Sequence, residues 1–206
     1  MMESKEHLTN RQIQAKQTRN NIVEAGRAVF LKVGFQKATI SQIIKEANTG
    51  YGTAYVYFSN KDELFIEIMT TLMNRFYEVA ELPFTPTSSQ TAHEMISNQV
   101  KLFLSLAMEE RAMMQVVKEA IGTSEEVNKK WTDIRERFIE RIAQDIQFAQ
   151  DHALAKKNLD PHLVARGWFY SNEMFMWEIV EGSPYKMEDI IYNLTNMYTS
   201  GLYMQN

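Results

Sequence analysis

The chain has 206 residues, 45% of them hydrophobic and 23% charged, with a net charge of −4 and no cysteine. This balance excludes a disordered or collagen-like chain, and the missing thiols exclude disulfide frameworks, thiolate zinc sites and cysteine nucleophiles together. No apolar run is long enough to span a bilayer, and the N-terminus from Met1 to Asn10 lacks the apolar segment of a secretory signal, so a cytoplasmic protein with no membrane partner is expected.

Apolar residues recur at intervals of three and four with no strand-like alternation, and the predicted fold is all-α. Residues 1–15 are expected to form a flexible tail. Thr18 reads as the cap of a first helix with the stripe Ile22, Ala25, Val29 and Phe30. Thr39 or Ser41 then caps a helix of barely two turns, whose buried side is Ile40, Ile43, Ile44 and Ala47. Asn48-Thr49-Gly50 turns the chain into a second short helix that runs to Tyr57, and two short helices joined by such a turn are a helix-turn-helix. Neither helix is long enough to stand alone in water. They are expected to pack on the first helix through Ile22, Val29 and Phe30, with Phe35, Phe58 and Leu64 closing a small core.

Asn60, three residues ahead of Glu63, marks the start of the next helix, with the stripe Leu64, Ile68, Leu72 and Phe76. The segment Leu82–Gln90 is the clearest loop. Val127, Trp131, Ile134, Phe138, Ile142 and Ile146 keep one face of a long helix, since 3.6 residues return a side chain to the same side. Asp160-Pro161 opens another helix that runs to Glu181, and a last one covers Lys186 to Tyr203; their inward stripes are Val164, Trp168, Phe175 and Ile179, then Ile190, Leu194, Met197 and Leu202. The reading divides the chain into the tail, a head over residues 16–62 and a body over residues 63–206.

Charge is unevenly spread between these parts. Between Lys16 and Lys61 stand seven bases and two acids, so this block carries +5 and leaves −9 on the remainder. A basic head on an acidic body suggests that only the head meets a polyanion, although the same clustering also fits a solvated face. The second short helix leaves Tyr51, Gly52, Thr53, Tyr55 and Val56 outward, ringed by Lys37, Lys45 and Lys61. Gly52 permits close backbone approach.

These residues resemble the DNA-binding region of the tetracycline-repressor (TetR) family of bacterial transcriptional regulators. The likeness runs from Thr18 to about Met69, through Thr18-Arg19, Ile22, Val29-Phe30, Gly34-Phe35, Thr39-Ile40, Ile43 and Gly52-Thr53-Ala54-Tyr55-Val56-Tyr57-Phe58, then Lys61 and Leu64. It implies that the helix Tyr51 to Tyr57 enters the major groove, that Tyr55 and Lys61 hold phosphates, and that Thr39 and Ser41 meet the DNA backbone. Gly50, Tyr51 and Thr53 then fall near bases or adjacent phosphates. The chain departs from the family pattern at three positions. Ile44 replaces a small alanine, Ala54 replaces a larger apolar residue, which reads as an exchange of volume across one contact, and Asn48 replaces a glycine in a left-handed turn that asparagine also accepts.

Nothing in the body suggests catalysis, a cofactor or a metal: His93, His152 and His162 lack a ligand spacing, and no phosphate-binding or nucleophile motif occurs. Each of Phe103, Met113, Met114, Val117, Trp131, Phe138, Trp168, Met174 and Trp177 fits an ordinary helical core. Together, methionines and aromatics also line adaptable pockets, and the family resemblance implies a small apolar or amphipathic effector held there. Glu119, Glu173 or Glu178 would select a cationic group if one of them faces inward.

Leu163, Gly167, Tyr170, Met174 and Trp177 give the last two helices a second apolar side, which predicts a homodimer joined through a four-helix bundle. The implied function is a ligand-responsive regulator, a repressor, on double-stranded palindromic operator DNA. An alternative from another class is a helical small-molecule binder or scaffold whose head contacts protein.

Overall fold

The computed structural model describes residues 9–204. Nine helices occur among the described residues: α1 (Asn10–Lys37), α2 (Ile40–Glu46), α3 (Tyr51–Tyr57), α4 (Lys61–Ala80), α5 (Ser89–Glu109), α6 (Arg111–Thr123), α7 (Glu125–Asp151), α8 (Pro161–Glu181) and α9 (Met187–Leu202). The fold is all-α; the one β pairing among the described residues is a bridge between Ala155 and Tyr203. No helix of the described residues is long and apolar enough to cross a membrane.

Most helix starts have the expected local cause. Asp160 accepts the Leu163 N–H ahead of Pro161, and Asn60 accepts the Glu63 N–H at 2.8 Å. At α2 the cap is Thr39, not Ser41: its hydroxyl takes the Gln42 N–H while the Gln42 side chain returns to the Thr39 N–H. Asn48 sits at φ 48°, the left-handed conformation expected of it.

The start of α1 differs from the expectation. Thr9, not Thr18, is its cap, through a reciprocal box with Gln12, and the Thr18 hydroxyl donates to the Gln14 carbonyl inside the helix. Residues 10–15, expected as tail, are therefore helical; the rest of the expected tail, residues 1–8, lies outside the described residues. The first turns are rich in amides and carry no apolar stripe, so periodicity gives no sign of them.

The break between α5 and α6 falls at Glu110, where φ is −94° and ψ 17°, without a proline or glycine to mark it. Its setting is tertiary, because the Glu110 carboxylate takes Arg27 of α1 at 2.8 Å and also Arg75 of α4.

The small core under α2 and α3 contains Ile22, Phe30, Phe35, Ile43, Ile44, Ala54, Phe58 and Leu64, all buried. Phe30, Phe35 and Phe65 pack with ring centroids 4.9 to 5.8 Å apart, two of the three contacts edge to face. This core continues without a gap into the body. The long stripe of α7 is buried at Val127, Trp131, Ile134, Phe138 and Ile146, as the spacing predicts.

Candidate nucleic-acid interface and body cavity

Burial of Ile43, Ile44 and Ala54 fixes α2 and α3 against α1 and turns one face of α3 outward. Tyr51 is 56% exposed, Tyr55 48% and Val56 79%, while Tyr57 is half-buried. Ile44 and Ala54, the two departures in size, are both fully packed. Thr39, Ser41, Gly50, Gly52 and Thr53 are exposed as well, so seven of the eight residues expected to contact DNA are open to solvent. A side chain at Gly52 would meet nothing within 4 Å, so internal packing does not demand this glycine; close approach from outside would.

The eighth, Lys61, is placed differently. Its ammonium donates to the carbonyls of Phe35 at 2.8 Å, Gln36 at 3.3 Å and Ala38 at 3.2 Å, and lies 4.5 Å over the Phe35 ring. It satisfies carbonyls that the end of α1 leaves without helical partners. No spacing rule reveals such a contact, which joins residues 23 to 26 positions apart.

The same turn is held from the body. Glu119 on α6 accepts the backbone N–H groups of Phe35 and Gln36, each at 3.0 Å. Gly34 at φ 79° aims these groups at the carboxylate, and a Cβ there would stand 2.7 Å from Glu119 Oε2. Glu119 is thus directed at the head and away from any pocket. One and two turns earlier, α6 reaches the end of α8: Gln115 donates to the Val180 carbonyl at 3.1 Å and Arg111 Nε to the same oxygen at 2.7 Å.

In the body, a cavity of about 80 Å³ lies between α4, α5, α7 and α8, lined by Val79, Gln99, Phe103, Phe138, Asp145, Trp168 and Asn172 among others. Three of the nine residues expected in a pocket, Phe103, Phe138 and Trp168, line it. Met113, Met114 and Val117 are buried in the core elsewhere, and Met174 faces outward from α8. Trp131 and Trp177 are turned to Glu173, donating at 2.7 and 3.3 Å, and Arg135 completes its partners at 3.0 Å. Glu173 is therefore a satisfied buried ion and not a free anion in a cavity.

Asp145 is the carboxylate that does face the cavity, and sequence reasoning passed over it because it sits one turn from Arg141 in a charged stretch of α7. Burial pushes its carboxyl up to about 6, against the opposing pull of Arg141. The three histidines contact Thr199, the Phe148 carbonyl and Glu140 separately, and no group of metal-capable side chains occurs among the described residues.

The outer sides of α8 and α9 expose Leu163, Met174, Tyr192 and Met197. Met197 was expected in the inward stripe and instead faces out, lining with Met174, Glu178 and Tyr185 a groove of about 420 Å³.

Two family models match the chain: bacterial regulatory proteins of the tetR family over residues 22–68, and the C-terminal domain of the transcriptional regulator EthR over residues 96–204. The uncharacterized HTH-type transcriptional regulator YhgD of Bacillus subtilis is 30% identical over 149 residues, spanning 70% of this chain and 74% of that protein. A TetR-family transcriptional regulator from Syntrophomonas wolfei superposes with a TM-score of 0.73 at 16% identity, covering 90% of this chain and 94% of that one. A transcriptional regulator from Saccharomonospora viridis, solved in complex with choline, gives 0.71 at 16% identity over 92% and 100% of the two chains.

Proposed function

Because the chain belongs to the tetR family of bacterial regulatory proteins, we propose that it is a dimeric, ligand-responsive repressor that acts in the cytoplasm and catalyses no reaction of its own. The observation that carries this reading is the outward face of α3, where Tyr51, Gly52, Thr53 and Tyr55 stand clear on a fully buried Ala54 in the basic part of an acidic chain. In this reading α3 enters the major groove. Tyr51 and Thr53 reach bases, while Tyr55, Thr39 and Ser41 offer hydroxyls to phosphates. Gly50 and Gly52 let the backbone approach, and Lys61 contributes its charge from the end of α1.

The exposed apolar face of α8 and α9 pairs with its copy, and the two heads read a palindrome whose half-site centres are about 34–36 Å apart, or a multiple of that. Residues 16–62 form the DNA-binding unit, and residues 63–206 form the ligand-binding and dimerisation unit. The effector is a small apolar or amphipathic molecule that enlarges the cavity beside Phe103, Phe138 and Trp168. The choline complex of the Saccharomonospora viridis regulator supports a small organic ligand on this fold.

Because Trp168 and Asn172 lie on α8, a ligand that displaces α8 moves the Val180 carbonyl. Arg111 and Gln115 pass that displacement to α6, and Glu110 and Glu119 pass it to α1. A coupling of about 1–3 kcal/mol suffices to release DNA.

The reading is tested by fluorescence anisotropy with the duplex upstream of the chain's own gene and with random duplex, across a salt titration. Tight, salt-dependent binding to the first is expected, with altered base preference in Tyr51→Ala. Equal indifference to both duplexes at low salt would overturn it.

A further inference from the structure

Three turns of α1 run beyond the head's core with no apolar task. Asn10 to Gln14, Lys16 and Gln17 are exposed, and no acidic residue occurs from Thr9 to Val23. All contacts of α1 with Glu110 and α6 named above lie in its second half, at Arg27 and at Phe35 and Gln36, so the first turns point away from the body. Arg19 fixes which side faces α3. Its guanidinium lies 5.1 Å over the ring of Phe58, the cap residue that ends α3, and is held there by Glu67 of α4.

At 100° per residue, Lys16 stands about 60° and Arg11 about 80° around the helix from Arg19, on either side of its direction. At 1.5 Å per residue they sit about 4.5 and 12 Å further from the body. Two bases without a partner among the described residues therefore flank the direction that Arg19 gives toward the end of α3, each within a right angle of it and further out along α1. Glu67 neutralises Arg19, but no hydrogen bond or ion pair engages the charged groups of Arg11 or Lys16 among the described residues.

We infer that the first turns of α1 are a second DNA-contacting element, in which Arg11 and Lys16 bind backbone phosphates flanking the groove that α3 enters. This rests on the regulator reading and adds a surface to it. The neighbouring Gln12, Gln14 and Gln17 supply uncharged donors of the kind that also contact phosphate. A DNA backbone fits this helix better than a protein partner does: the exposed side offers one lone large apolar residue, Ile13, and no acid to pair with a base on a partner. Phosphate contact also gives a reason for a helix that extends beyond its packed part with a full capping box at Thr9.

The test is Arg11→Gln with Lys16→Gln, measured beside the unsubstituted chain and an exposed body control, Lys129→Gln, on the same duplexes. The expected result is a salt slope shallower by about 0.9 for each charge removed per bound chain, with weaker affinity for upstream and random duplex alike. At about 0.1 M salt the loss should be roughly 3- to 10-fold for each charge removed, with helix content and thermal unfolding unchanged and the control like the parent. If the unsubstituted chain binds and the double variant keeps its slope and affinity, the inference fails and the regulator reading stands. If the unsubstituted chain binds no duplex, both fail.

Discussion

Glu119 and Lys61 hold the same two residues from opposite sides: the carboxylate accepts the N–H groups of Phe35 and Gln36, and the ammonium donates to their carbonyls. The turn that leads into α2 is thereby suspended between the body and α4. Removing Glu119 as alanine is expected to cost about 1–3 kcal/mol, because two N–H groups lose a charged acceptor at a half-buried site. Gly34→Ala should cost at least as much, since a Cβ at φ 79° is strained and meets the Glu119 oxygen at 2.7 Å. The two effects share one contact, so the double variant is expected to be more stable than the sum of the single losses implies. Urea unfolding of the four chains checks this; strict additivity would show that the carboxylate and the turn are not in contact in solution.

Lys61 and Tyr55 separate support from contact. With its donors spent on three carbonyls, Lys61→Ala is expected to lower stability in the absence of DNA, by about 1–2 kcal/mol. Tyr55→Phe removes only an exposed hydroxyl and should leave unfolding unchanged while weakening binding to every duplex. Thermal melts paired with anisotropy titrations distinguish them. An unaltered melting temperature for Lys61→Ala would mean that its ammonium is free for phosphate.

For the proposed dimer, Met197 gives a clean probe because it is 64% exposed and its replacement costs the single chain little. Met197→Glu puts a carboxylate, and by two-fold symmetry its copy, into an apolar seam, and should convert the dimer to monomer. Light scattering after gel filtration reads this directly. A dimer that persists at micromolar concentration would place the seam elsewhere.

Local signals made much of the fold readable. The three-and-four spacing of Trp131, Ile134 and Phe138 gave α7, Asp160-Pro161 opened α8, and Asn48 marked a left-handed turn that the backbone adopts. The face of α3 was equally legible, because its packing partners lie within a few turns of chain. What escaped were features set by partners distant in sequence. Glu119 meets Phe35 across 84 positions, and Glu110 breaks a helix at a place where no proline or glycine stands. In the body, spacing separated core from surface but not core from cavity. Trp131 and Trp177 have the same apolar character as Trp168, yet their indole N–H groups are drawn to Glu173, and only Trp168 faces the space.

Asp145 links that space to pH. Burial raises its carboxyl from the ordinary 3.8 to about 6, so the folded chain binds this proton more tightly than the unfolded chain. Stability from this group is therefore greatest below about pH 4, falls as pH rises through the interval up to about 6, and is flat above it. The full difference is about 2–3 kcal/mol. Asp145→Asn removes the titration, and the variant's stability relative to the parent should improve by that amount between about pH 4 and pH 7, whatever constant cost the loss of the Arg141 pair adds. Urea unfolding of both chains across this range measures it. Parallel curves would mean that Asp145 is solvated in both states. The same proton bears on the cavity: a positively charged effector is expected to bind more tightly above pH 6, where the carboxylate is ionised, and a neutral one to show no such gain.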